Sequence, residues 1–240
     1  MKLLRRKPVY GTPVLELPGG ETIVLHMRKN PRARSLILRL LPYGEGLDLV
    51  LPRWISKSEG LEFALSKLAW IQRELGKTPA RVVFAHGVEI PFLDEVLTIR
   101  HEAGGRGVVW REENALCVAG KPEHLPRRVN DWLKKEARGM ILPKAHGLAA
   151  RLERDIKRIS LRDSKSRWGS CSEEGRMAFS WRLVMAPQRV LDYVVAHEVA
   201  HLVELNHSKA FWAVVAGLAG DYREPRAWLG REGAKLHRFG

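Results

Sequence analysis

The residues whose types and spacing could do chemistry are His197, Glu198, His201 and His207, in the segment PQRVLDYVVAHEVAHLVELNHSKAFW. The first three form an HExxH motif. Pro187 suits the first helical turn, and neither Gly nor a second Pro interrupts the run to Leu205, so the motif is expected inside one helix. Four residues apart, His197 and His201 lie one turn apart on the same face and can reach a single metal ion. Glu198 points about 100° round from His197. That offset suits a residue that touches activated water without taking a ligand position, the general-base role in zinc hydrolases.

His207 follows His201 by six residues, and on a continuous helix it would sit about 240° away, on the wrong side. The helix must therefore break. Asn206 is placed to end it in the left-handed conformation, and Ser208 can cap a second helix through Phe211-Trp212. His207 then becomes the third protein ligand, with water in the fourth position of an open, catalytic zinc site. Asp221 and Glu224 are its rivals, as carboxylates on a following helix. Glu204 falls within about 20° of His197 on the helical wheel, where it either orients a ligand imidazole or is a solvated helix-end carboxylate. The reading without a metal is a buried helix with satisfied core histidines. Because Val190, Val194, Val195, Val199, Leu202 and Val203 make this helix apolar on most sides, its histidines and glutamates need partners, and a metal supplies one.

The elements that position the motif are mostly helical from about Pro126. Val129, Trp132, Leu133, Met140 and Ile141 are spaced for an amphipathic helix that Pro143 should end or kink. MAFSWRLV, Met177 to Val184, reads as a short strand before Ala186-Pro187. Upstream, VLEL and ETIVLHM flank the hairpin signal Gly19-Gly20, and SLILRL and LDLVL follow. Ser56 and Glu59 form a capping box for one helix from about Lys57 to Leu75. A second strand-rich stretch covers Arg81 to Val118. The expected fold class is α+β: a β-rich N-terminal region with one helix (1–122), then a helical catalytic domain (123–240) with a short strand before the HExxH helix. No internal repeat is visible.

Hydrophobic residues at 45% and charged residues at 28% describe a folded globular protein and exclude a disordered or collagen-like chain. Two cysteines, Cys117 and Cys171, make no disulfide framework and fit a reducing, cytoplasmic setting. The opening MKLLRRKPVYGTP lacks the apolar stretch of about 7 to 15 residues of a secretion signal, and no run approaches the roughly 20 apolar residues of a membrane span. Lys plus Arg number 41 against 27 Asp plus Glu, a formal charge of +14. Such an excess attracts polyanions, nucleic acid or nucleotides, through Arg5-Arg6-Lys7, Arg32, Arg34, Arg127-Arg128, Arg162, Lys165 and Arg167.

RWGSCS (Arg167 to Ser172), SWRLVMAP (Ser180 to Pro187), LDYVVAHEVAHL (Leu191 to Leu202) and NHSKAFW (Asn206 to Trp212) resemble the YgjP-like metallopeptidase family, which is grouped with WLM and SprT-like zinc proteins. The resemblance implies a zincin-type catalytic domain with Zn2+ held by His197, His201 and His207 and with Glu198 as base. It also implies that Arg167, Trp168 and Cys171 line the site, with core packing as the plainer reading of Trp168 and Cys171; Cys171 as a zinc ligand is the weaker alternative, since three histidines suffice, and Arg182 is a further candidate for the cleft or for support behind the ligands. The family usually has Asn where this chain has Ser180. In zincins a strand before the active helix pairs with extended substrate, and MAFSWRLV would be that strand; the other reading is an interior strand with no free edge. WLM and SprT-like relatives act on proteins attached to DNA, which makes such a substrate an expectation by analogy.

Three functions compete. The first is a zinc-dependent peptidase acting on a protein or peptide. The second keeps metal and water but attacks a phosphoanhydride in a nucleotide, although no glycine-rich phosphate loop is present. The third is a non-catalytic nucleic-acid-binding module with a structural zinc, against which Glu198 speaks, since a structural site needs no base beside an open position. They are preferred in that order.

Overall fold

The protein is described by a computed structural model over residues 12–77, 80–104 and 107–240. Arg5-Arg6-Lys7 lies outside the described residues. The chain divides into two units, Met1–Arg81 and Val82–Gly240, so the division expected at residue 122 falls inside the second. The fold is α+β.

In the first unit, β1 (Val14–Glu16) and β2 (Thr22–Lys29) form the expected hairpin, closed by Leu17 N–H donating to the Glu21 carbonyl at 2.8 Å, with Gly20 at φ +80° in the turn. A second antiparallel pair, β3 (Ile37–Leu40) and β4 (Leu47–Leu51), joins it through β2 and β4, which run parallel; the order is β1-β2-β4-β3. Helix α1 (Lys57–Leu65) opens on the capping box: Ser56 Oγ accepts from Glu59 N–H at 3.2 Å and the Glu59 carboxylate accepts from Ser56 N–H at 2.7 Å. The single helix expected to Leu75 stops at Leu65. Ser66 Oγ donates to the Phe63 carbonyl at 2.8 Å, a local bond that competes with helix continuation, and α2 (Leu68–Lys77) starts afresh. Leu25, Leu47, Leu49, Leu51, Ala64 and Ile71 form the buried centre of this unit.

The second unit repeats that strand path. β5 (Glu89–Phe92) and β6 (Glu95–Glu102) pair antiparallel, as do β7 (Val109–Glu112) and β8 (Ala115–Ala119), while β6 and β8 run parallel in the order β5-β6-β8-β7. The turns that close the repeat are built from different residues: Leu93, at φ 54°, is left-handed where the first sheet has Gly20, and Glu113, at φ 50°, where it has Tyr43 and Gly44 at 61° and 71°. Helix α3 (Leu125–Arg151) then buries every fourth residue from Leu125 to Ala149. It continues through Pro143, so the proline does not end it. The buried residues on either side, Ile141, Ala145 and Ala149, hold both halves in the core and outweigh the roughly 3 kcal/mol that an interior proline costs.

Beyond α3 lies a three-stranded sheet, β9 (Arg158–Arg162), β10 (Gly169–Cys171) and β11 (Arg176–Ser180), with β11 central between antiparallel β10 and parallel β9. MAFSWRLV is therefore strand only to Ser180. Ser180 Oγ accepts from Arg182 N–H at 3.3 Å and winds Trp181–Met185 into a 3-10 turn. Helices α4 (Gln188–Ala200), α5 (Lys209–Ala219) and α6 (Arg223–Leu236) complete the unit. No helix among the described residues is long and apolar enough to cross a membrane.

Arg182 ties this unit together. Its guanidinium meets both Asp163 oxygens at 2.7 and 3.2 Å and donates to the carbonyls of Leu236 and Phe239 at 3.1 and 2.6 Å, stacked on Trp181 at 4.4 Å. Its side chain is 6% exposed, whereas that of Asp163 is 40% exposed. Arg182→Met is expected to cost about 2 to 3 kcal/mol, below the toll for a wholly buried pair because Asp163 recovers solvent. Urea unfolding measures this, and a loss under about 0.5 kcal/mol would show the tie to be dispensable.

Candidate metal centre

Helix α4 carries His197 and Glu198. It is held against α3 by an ion pair between Lys144 and Asp192, to which Gln188 Nε2 also donates at 2.7 Å. The helix ends at Ala200 and not at Leu205. His201 is its C-cap and keeps a helical φ of −66°, so its side chain still stands one turn beyond His197. Leu202 and Val203 then bond back three residues in tightening turns. Asn206 does not adopt the left-handed conformation expected of it. Its side chain instead accepts from Ser208 N–H at 3.0 Å, and Ser208 Oγ accepts from Phe211 N–H at 3.2 Å to begin α5. This sharp turn brings His207 back, with its Nε2 at 3.1 Å from His197 Nε2.

One donor atom from each of His197, His201 and His207 lies within 4.8 Å of the other two. Phe211, fully buried, packs its ring against all three imidazoles at centroid distances of 4.9, 4.5 and 4.7 Å. The Nδ1 of His201 meets the Glu204 backbone carbonyl at 2.9 Å, so the orienting acceptor comes from the main chain of Glu204 and not its carboxylate. Burial, and then the imidazoles of His201 and His207, push the His197 pKa down to about 4; burial and His201 lower that of His207 as well. Imidazoles converging on one space suit a divalent transition-metal ion, and the buried His197 Nδ1 finds no protein partner.

Glu198 is buried against Gly169 of β10 so closely that a Cβ there would lie 2.5 Å from Glu198 Cγ and Oε1. Burial raises its pKa to about 7, with Arg167 pulling the other way. Cys171 is raised to about 11 by burial and by Glu198, so it remains a thiol and stands outside the histidine cluster. A cleft of about 410 Å³ opens over these groups, lined also by Arg167, Trp168, Ser170, Tyr193 and Leu229.

The other expected residues are placed as follows. Arg167 and Trp168 line the cleft, and Trp168 also stacks on His237 at 5.0 Å. Arg182 does not line it, being committed to Asp163 and two carbonyls. Asp221 Oδ1 accepts from Arg223 N–H at 3.1 Å just before α6 and Glu224 pairs with Arg189 at 3.0 Å, so neither rival joins the histidines. Arg127 pairs with Asp131 at 3.2 Å, and Arg128 donates to the Ala119 carbonyl. The edge strand beside the cleft is β10, not β11. Sequence reasoning missed Gly169, Phe211 and Tyr193. Tyr193 carries a signal: it precedes His197 by one turn on the same face, its ring 5.8 Å away.

A second donor group, Glu102, Glu112 and Cys117, gathers on the β6-β7-β8 surface, where Arg100 reaches both carboxylates at 3.9 and 4.0 Å.

A family profile described as YgjP-like, metallopeptidase domain, matches residues 34–232. Among solved structures, the metallopeptidase zymogen of Pyrococcus abyssi abylysin matches 42% of this chain and 98% of its own length, at 21% identity and a TM-score of 0.35. No curated protein matches.

Proposed function

From the premise that the chain belongs to the YgjP-like metallopeptidase family, we propose that it is a zinc-dependent peptidase, with His197, His201 and His207 as ligands and Glu198 as general base. The observation that carries this reading is the convergence of three imidazole nitrogens within 4.8 Å beside a buried carboxylate. Zinc, when bound there, polarises a peptide carbonyl and lowers the pKa of water. Every other part is supplied by the chain. Phe211 and the Glu204 carbonyl fix the imidazole planes. Gly169 lets Glu198 lie against β10, where its carboxylate takes a proton from attacking water and returns it to the leaving amine. Arg167 stands by to balance the carboxylate's charge. The free edge of β10 offers main-chain bonds to an extended peptide.

The excess of +14 suits substrates that are acidic or bound to nucleic acid, and free Cys117 and Cys171 suit a reducing cytoplasm. The expected result on purification is about one zinc per chain, lost in His201→Ala, with cleavage of an unfolded protein by the metal-loaded wild type only. Elemental analysis decides the first part. Stoichiometric zinc in His201→Ala would remove that residue from the ligand set.

A further inference from the structure

The sheet β10-β11-β9 presents two different faces. Met177 and Phe179 of β11 turn into the core, as do Ile159 and Leu161 of β9. By the alternation of strands, Arg158, Ser160 and Arg162 of β9 and Arg176 and Ala178 of β11 share the opposite face with Ser170 of β10. Arg158 and Arg176 are directly opposed across the β9-β11 pair, and like charges so placed destabilise a sheet. The floor between the arginines is small, Ser160, Ala178 and Ser170, so the face forms a trough of about 490 Å³ whose wall includes Arg167. Among the described residues, Arg158, Arg162 and Arg167 form no ion pair; Arg176 pairs with Glu174 at 2.8 Å, the one acidic side chain of the trough. Arg167, Ser170 and Cys171 belong to both the trough and the metal-centre cleft.

We infer that this arginine trough selects peptide substrates carrying acidic side chains next to the scissile bond. The inference rests on the peptidase reading above and on strand geometry. A peptide added to the free edge of β10 continues the sheet, so its side chains alternate between the two faces. Residues aligned with Gly169 and Cys171 turn toward α4 and Glu198. Their neighbours, aligned with Ser170, turn over the trough toward Arg167 and Arg176, with Arg158 and Arg162 on the far strand completing the rim. A carboxylate there meets several cations at once and accepts from a serine hydroxyl. The trough offers no aromatic ring on which a base could stack, which favours an acidic peptide over single-stranded nucleic acid.

The test uses the metal-loaded full chain with matched peptides bearing Asp or Asn at every second position, assayed for cleavage, and for binding by fluorescence anisotropy beside an oligonucleotide of equal charge. The variant is Arg158→Gln/Arg162→Gln/Arg176→Gln, at exposed positions. Exposed charge pairs are individually weak and several act together, so the acidic peptide should lead its neutral match by about five- to tenfold in kcat/KM and in affinity. That lead should shrink to within about twofold in the triple variant, and for the wild type between 50 and 500 mM salt. Equal kcat/KM and affinity for both peptides at low salt, or a preference retained in the variant, overturns the inference, as does tighter binding of the oligonucleotide than of the acidic peptide. If neither peptide is cleaved, the peptidase reading fails by itself, and the binding measurements still decide what the trough holds.

Discussion

Glu198→Gln keeps the fold and the metal and loses turnover by about 10² to 10⁴, the range that general-base assistance is worth. The amide fills the same space against Gly169 but cannot accept a proton from water. The three histidines do not depend on it, since His201 is oriented by the Glu204 carbonyl and all three rings rest on Phe211. Single-turnover cleavage of a verified peptide substrate, alongside zinc analysis, measures both halves. Near-normal turnover with full metal would mean that another group moves the proton.

Gly169→Ala lowers turnover by about 100-fold with metal content unchanged, the loss that a misplacement of about 1 Å brings at a reacting centre. An added Cβ would sit 2.5 Å from both Glu198 Cγ and Oε1, closer than real Cβ contacts allow, so the carboxylate must shift. The side chain cannot retreat far, because Glu198 is only 6% exposed. Falling kcat at constant zinc separates this effect from loss of the centre. A variant with wild-type kcat would show that Glu198 tolerates displacement and does not act from its observed position.

What the sequence revealed was local. The Gly19-Gly20 hairpin and the Ser56–Glu59 capping box appear where expected, because each is decided by bonds within a few residues. The same locality brings His197 and His201 to one face of α4. Errors arose where two local signals competed or a distant partner decided. Ser66 ended α1 with a side-chain bond that periodicity does not register. Ser180 turned an apparent strand into a 3-10 turn by the same device. Pro143 is tolerated because residues far along the chain bury both halves of α3. Asn206 produced the break needed for His207 through its amide oxygen and not through its backbone angles. Gly169 could not be picked out among 21 glycines, since its importance is a contact with a side chain 29 residues later.

The strand path shared by the two four-stranded sheets has a kinetic consequence. Each sheet consists of two hairpins whose inner strands meet in parallel, β2 with β4 and β6 with β8. A hairpin closes over a few residues and forms in about 1 to 10 μs. The parallel contacts join positions much farther apart, Leu25 to Leu47 and Thr98 to Ala115, and must wait for the loop between them to close. Loop-closure entropy thus favours hairpins that form first and dock afterwards along one seam, twice in the same chain. Until docking, the inner strand of each half exposes unpaired main-chain groups that any other open strand edge can accept, so mispairing between halves of different sheets is the trap this architecture must avoid.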